Sequence, residues 1–352
     1  MLRQLARLGR PVPGAGERAL AIAVYGDAGD RSVAAREAGT EGVACVDDAA
    51  RALELYCSLW ERTGLPWTMR WCEGLLDFVL AMQDDDGRFV NFILDWDGTP
   101  NRTGRTSVAG GAFWQARAVL ALARASRVVG DPRIEPALRR GWRVILETVD
   151  APADVRALHI AAALALLGGP HDDRLTAVLA AWSEELLACS EGGMLMNSVY
   201  ERGHPHLWGH VQEHALAGAG VHLGRSELVE AAARSATLVF HAIVDTGFDM
   251  PLAQPYDVAS CVAVLRRMAE LTGDQAHGLR AAAAAGWFDG RNPAGLPVYD
   301  RSTGRVADGV DAGRVSTRSG AEANIVGAQT LIDAATAVAL ALPAAEAVPA
   351  AV

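Results

Sequence analysis

The sequence predicts an all-α fold, with about twelve helices in six hairpins that close into an (α/α)6 toroid. Apolar residues recur at helical spacing through a dozen stretches, and no comparable run alternates with period two. The connections alternate, with one exception, between very short and long. The even-numbered helices are rich in alanine, which suits a tight inner ring.

In chain order, the first helix is expected over 16–27. The second, over 47–63, repeats Ala52, Leu53, Leu55, Tyr56 and Leu59, and Thr63-Gly64-Leu65-Pro66 separates it from the third, over 67–83. The fourth, over 109–129, repeats Ala118, Val119, Leu122 and Ala123, and Gly130-Asp131-Pro132 leads into the fifth, over 133–149. Gly168-Gly169-Pro170 divides 154–168 from 172–189, Gly224 divides 207–222 from 225–243, and Gly273 divides 256–272 from 274–288. The last helix is expected over 319–341. The long connections, 28–46, 84–108, 190–206, 244–255 and 289–318, then share one face of the ring. Loops longer than about 12–15 residues are usually functional or disordered, and these carry Phe89, Phe92, Trp96, Tyr200, Phe248 and Tyr299 among carboxylates, arginines and asparagines. The short link at 150–153 is the exception and predicts one low wall in the rim. An open helical solenoid is the alternative, but its repeats would resemble one another more closely. No Pro/Ser/Gly linker divides the chain, so one toroid domain is expected over 1–343, followed by a frayed tail over 344–352.

The 352 residues are 51% hydrophobic with a net charge of −10 and a pI of about 5.4. That balance argues against nucleic acid and anionic membranes as partners, since both demand basic patches. The Ala/Leu-rich stretches near 157–168 and 331–343 fall short of a bilayer span. Residues 1–16 lack a hydrophobic signal core, so a cytoplasmic location is expected. Five scattered cysteines, at 45, 57, 72, 189 and 261, read as buried free thiols. No GxSxG elbow, phosphate loop or dinucleotide fingerprint is present, and no cofactor is expected. Oligomeric state is left open by the sequence.

In such a ring each inner helix begins directly after a long loop, so its first turn should surround the central cavity. Those starts are polar: Asp47, Asp48 and Arg51; His210, Glu213 and His214; Tyr256 and Asp257; Ser319, Glu322 and Asn324. Capping explains one such residue per helix, Asp47 foremost. Asp48, Glu213 and Glu322 lie further in, where an acid needs a wet cavity or a partner. His210 and His214 are spaced i, i+4, but the intervening acid lies off their common face, so hydrogen-bonding histidines are expected and no metal. The loop DDDGRFVNFILDWDGTPNRTGRTS mixes acids, aromatics, asparagine and arginine. Sugars are held by that mixture: aromatic faces stack on a pyranose while carboxylates, amides and guanidinium groups bind its hydroxyls.

The pieces VDDAARAL (46–53), QDDDGRFVNFILDW (83–96) and SGAEANIVGAQTL (319–331) resemble, in the same order, bacterial six-hairpin domains that accompany glycosyltransferases or mannoside-processing enzymes and have patterns like TDDNARAL, DGRFHNF and NQGAEST. The resemblance implies a toroid of the six-hairpin glycosidase type, with Asp47, Asp48, Arg51, Arg88, Asn91, Phe92, Ser319 and Glu322 near a shared cavity. Where those domains have an acidic GSED-like string, this chain has SVAGGAFW (107–114), so Asp95 or Asp97 would have to replace a lost acid. A second resemblance, to class II terpene cyclases, rests on CVDDAARAL and QDDDGRF, but Cys45 occupies the place of the proton-donating acid.

The sequence thus points to a glycoside hydrolase acting on an oligosaccharide with a carboxylate pair. Glu322 and Asp48 are the expected pair, with Asp47, Glu213 and Asp95 as substitutes. Arg51, Arg88, Asn91, Phe92, Trp96, His210, Tyr256, Asp257 and Ser319 are the expected substrate-binding residues. A non-catalytic sugar-binding toroid is the main alternative. A uronate lyase using Tyr256, His210 and Arg51 is a further one, ranked lower because the protein's acidity favours neutral sugars.

Overall fold

The computed structural model describes residues 2–27, 41–169 and 172–341, the backbone alone over 333–341. The tail expected over 344–352 and most of the loop expected over 28–46 lie outside the described residues. Twelve α-helices are present among the described residues. They are α1 (Leu2–Leu8), α2 (Val46–Thr63), α3 (Pro66–Ala81), α4 (Ala112–Ala125), α5 (Ile134–Leu146), α6 (Ala153–Leu167), α7 (Asp173–Ala188), α8 (Gln212–Leu223), α9 (Ser226–Asp245), α10 (Pro255–Thr272), α11 (Gln275–Ala285) and α12 (Ala321–Ala341).

The ring closes. Each even-numbered helix packs on the next, from α2 to α4 and onward to α12, and α12 packs back on α2. The odd-numbered helices lie outside them as hairpin partners. Small residues on the inner helices permit this: Ala118, Ala121, Ala123, Ala157, Ala162, Ala163, Ala215, Ala217 and Ala219 are all buried. Gly64 ends α2 in the left-handed region, with φ 61°, which a residue with a Cβ adopts only at a cost.

The helix expected over 16–27 is absent. Leu20–Ile22 is strand β2, antiparallel to β1 (Gly9–Pro11), and the helix of this first unit lies earlier, at Leu2–Leu8. The reason is that Ala19, Ala21, Ile22 and Ala23 are all buried, and a short, wholly buried apolar run has no polar face to reveal its period. Gly26 and Val24 then run against the start of α12: the Gly26 and Val24 carbonyls accept from the Ser319 and Ala321 amides at 3.1 and 3.0 Å.

Short strands brace the long-loop face. β3 (Ala44–Cys45) pairs with β4 (Phe92–Ile93), β5 (Ser190–Glu191) with β6 (Met194–Leu195), and β8 (Tyr299–Asp300) with β9 (Arg305–Val306). β10 (Val310–Asp311) lies between β7 (Leu252–Ala253) and β11 (Arg314–Val315). At the low wall, the loop after β6 leans across, its Asn197 carbonyl accepting from the Ala153 amide at 2.8 Å. No helix among the described residues is long and apolar enough to cross a membrane.

Candidate active site

A cavity of about 500 Å³ occupies the ring axis, and all six inner helices line it. At its long-loop end stands Arg51, on the first turns of α2. Its Nη1 meets Asp48 Oδ1 at 3.0 Å, and its Nη2 meets Asp47 Oδ2 at 3.1 Å and Glu322 Oε1 at 2.6 Å. Arg117 of α4 grips both oxygens of Asp47 at 2.6 Å. Glu322 and Tyr256 line the cavity together with Arg51 and Arg117. The Glu322 side chain is 37% exposed and Asp48 only 5%, so Asp48 stands behind Arg51.

Helix α2 is held at this spot by its own cap and by the neighbouring loop. The Cys45 sulfur accepts from the Asp48 amide and donates its proton to Asp48 Oδ2 at 3.3 Å. Asn91 Oδ1 accepts from the Asp47 amide at 3.1 Å, while Asn91 Nδ2 donates to the Thr106 carbonyl at 2.9 Å. The SVAGGAFW segment is part of this scaffold: Ser107 Oγ accepts from the Phe92 amide at 2.8 Å and donates to the Asn101 carbonyl at 2.6 Å.

The electrostatics separate the two aspartates. Burial would raise Asp47, but Arg117 and then Arg51 outweigh it and hold its pKa below the usual value. Asp48 is pushed up to about 7 by burial, against the pull of Arg51 and with the help of Glu322 and Asp47. Burial, then Asp48, raise Tyr25, and burial, then Glu322, raise Tyr256. Asp257 is raised to about 6 by burial; its carboxylate accepts from the Gln254 amide at 2.8 Å and closes the capping box of α10. Burial also raises Asp308, which accepts from the Gly320 amide at 2.7 Å.

Several residues expected at the cavity lie elsewhere. Glu213 is fully buried, its Oε1 accepting from Ser235 Oγ at 2.6 Å and lying 3.0 Å from His210 Nε2, and His210 is equally buried. Helix α8 begins at Gln212 rather than 207, so His210 precedes it and does not share a helix face with His214, which does line the cavity. No group of three or more metal-binding side chains occurs among the described residues. Arg88 is exposed and paired with Asp86 at 2.9 Å. Asp95 is exposed and accepts from the Trp96 amide at 2.7 Å, and Trp96 packs on the core from outside the cavity wall. Asp97 is exposed and accepts from the Thr99 amide and hydroxyl at 2.8 and 2.9 Å. Phe92 sits in β4 beside Cys45, away from the lining. Ser319 is buried, donating to the Val306 carbonyl at 2.8 Å and accepting from Asn324 at 2.9 Å. Asp95, Asp97 and Ser319 satisfy the backbone of rim loops.

The structure adds residues that the sequence reading passed over. Tyr25 reaches the acid cluster from the segment mistaken for a helix. Arg117 and Glu54 line the cavity from the interiors of α4 and α2, and a charge set between apolar neighbours, Ala116 and Ala118 or Leu53 and Leu55, was the available signal. Across the mouth, Trp208 lines the cavity, stacked on His206 at 4.5 Å and tilted against Phe113 at 5.2 Å. Asp154, at the start of α6, lies 3.7 Å from His206 Nε2 and is raised by burial.

No protein-family model matches the chain, and no curated protein does so significantly. Solved structures do. A cellobiose 2-epimerase from Bacillus thermoamylovorans superposes with a TM-score of 0.71 at 11% identity, over 95% of this chain and 96% of that one. A sugar epimerase from a ruminal bacterium gives 0.69 at 13% identity, over 91% and 93%. A glycoside hydrolase family 9 endoglucanase gives 0.55 at 15%, over 90% of this chain and 74% of that one. At such identities the likeness is one of fold, and the fold it establishes is the (α/α)6 toroid that the closed ring of helices already describes.

Proposed function

We propose that this protein is a carbohydrate-active enzyme that cleaves a glycosidic bond at the long-loop mouth of the toroid. One observation carries the reading: Asp48 and Glu322 share the Arg51 guanidinium at the mouth of a cavity large enough for a sugar. Glycoside hydrolysis needs one carboxyl to protonate the leaving oxygen and another to activate water or attack the anomeric carbon. Glu322 is the cavity-facing carboxylate and takes the second role. Asp48, raised to about 7 by burial, keeps a proton near neutral pH and takes the first, which requires Arg51, standing between it and the cavity, to move aside when substrate binds. Arg51 holds the pair in register, and Tyr256 offers a hydroxyl on the same wall. The test is a panel of oligosaccharides read for reducing-sugar release. Asp48→Asn and Glu322→Gln should each lower turnover by about 10²-fold or more while the fold persists. Full activity in either folded variant removes that residue from the pair.

A second reading, epimerisation or isomerisation at the reducing end, is favoured by one specific observation: Asp48 is buried behind Arg51, leaving Glu322 as the acid of the pair on the wall. One wall-facing base and one hydroxyl donor suffice to move a proton beside a carbonyl. The near full-length superposition on the epimerases supports it. Deuterium entering a recovered monosaccharide or disaccharide from D2O, with no new reducing ends, would select this reaction over hydrolysis.

A further inference from the structure

The cavity continues past the Arg51 cluster along the ring axis toward the short-turn face. Beyond that cluster its ionisable lining comprises four arginines, two glutamates and a histidine, a cationic balance inside a chain of net charge −10. The exposed side chain of Arg124, near the end of α4, lines this deep half and makes no hydrogen bond or ion pair among the described residues. Arg127 makes one long bond there, to the Ala165 carbonyl at 3.4 Å. Glu54, also on the wall, makes no hydrogen bond among the described residues, although Arg124, Arg117 and Arg51 all act on it electrostatically. His214 adds no charge near neutral pH, because burial and then Arg267 and Arg124 pull it down to about 4. Helix polarity accounts for a cation in the last turn of α4. It does not account for a guanidinium on the cavity wall whose donors meet no protein partner among the described residues.

We propose that the sugar handled here carries an anionic group, a carboxylate or a phosphate ester, that seats in the deep half of the cavity against Arg124, with Arg127 beside it and Glu54 opposite. The proposal rests on the carbohydrate reading above. A guanidinium meets either anion through paired N–H donors in one plane, and a second guanidinium, Arg127, on the same wall adds to the attraction. Glu54 is raised to about 7 by burial, so near neutrality it can carry a proton and donate to the same anion. Seating the anion deep in the cavity turns the remainder of the sugar toward Glu322 and Tyr256 at the mouth.

The experiment is calorimetric titration of the full chain with D-glucuronate, inorganic phosphate and, as a neutral control, D-glucose. Wild type, Arg124→Gln, Arg124→Lys and, as a charge control on the outer helix α5, Arg139→Gln are compared after thermal melts confirm folding. Wild type should bind at least one of the two anions, and Arg124→Gln should weaken it about tenfold or more. Arg124→Lys should restore part of the loss, and Arg139→Gln should leave anion binding unchanged. Glucuronate alone assigns a uronate, and phosphate alone assigns a phosphate ester. Binding of neither anion, or equal binding by folded Arg124→Gln, overturns the proposal. Turnover of neutral oligosaccharides in that case leaves the carbohydrate reading standing. Anion binding at Arg124 with no turnover of any neutral or charged sugar overturns that reading, and with it the claim that the ligand is a sugar.

Discussion

Arg51 pairs with three carboxyl groups through one guanidinium, and the rim depends on it. Arg51→Met would leave Asp48 and Glu322 facing each other without a counter-charge, whereas Asp47 would keep Arg117. Removing one partner of a buried ionic cluster costs about 3–5 kcal/mol, so urea unfolding should show a loss of that order for Arg51→Met. Glu322→Gln should behave differently. Its side chain is more than a third exposed, so its ion pair contributes less than about 1 kcal/mol to stability, while turnover falls by about 10²-fold or more. If Glu322→Gln instead melts early and keeps its activity per folded molecule, Glu322 serves Arg51 and not the substrate.

At the scale of elements, the site depends on where the N-terminal segment meets α12. Gly320 is small because the Val24 backbone passes against it. A Cβ at position 320 would collide with the Val24 carbonyl and push away the segment that brings Tyr25 to the acid cluster. Gly320→Ala should therefore cost about 1–3 kcal/mol and also impair the site. Gly64→Ala offers the contrast: its Cβ meets nothing within 4 Å, and the cost is the positive φ alone, about 1 kcal/mol, with no effect on activity. Paired melting and activity measurements separate the two, and an inactive but stable Gly64→Ala would contradict the assignment.

At the scale of the whole molecule, a ring that closes around charged side chains makes stability depend on pH. Asp48 and Glu54 are raised to about 7 and Asp257 to about 6, so between roughly pH 4 and 7 the folded state binds more protons at these groups than the unfolded state. Their contribution to stability falls as pH rises through that window. His159 and His214, lowered to about 3 and 4, act in the opposite sense up to about pH 6.5 and mask the slope in wild type. Glu54→Gln exposes one contribution alone. It should match wild type near pH 4 and exceed it by on the order of 2 kcal/mol at pH 8, where wild-type Glu54 is ionised in the cavity. Chemical denaturation at both pH values checks this, and a variant less stable than wild type at pH 8 would reverse the sign.

By itself the sequence determined the ring of helices apart from the first, because helical periodicity, glycine stops and alternating loop lengths are local properties that survive into the fold. It also placed Asp47, Asp48, Arg51, Tyr256 and Glu322 at one mouth, since every inner helix must start on the face of the long loops. The tertiary structure alone decided which of these side chains faces the cavity. Glu213 has the same position in its helix as Asp48 and Glu322 have in theirs, near the start, but Ser235 and His210 enclose it. Tyr25 and Arg117 reach the cluster from the segment that follows β2 and from the interior of α4, neither of which is the start of an inner helix. Whether an acid ends up paired, buried or wet depends on side chains that arrive from elsewhere in the chain, and the sequence around each acid does not encode those neighbours.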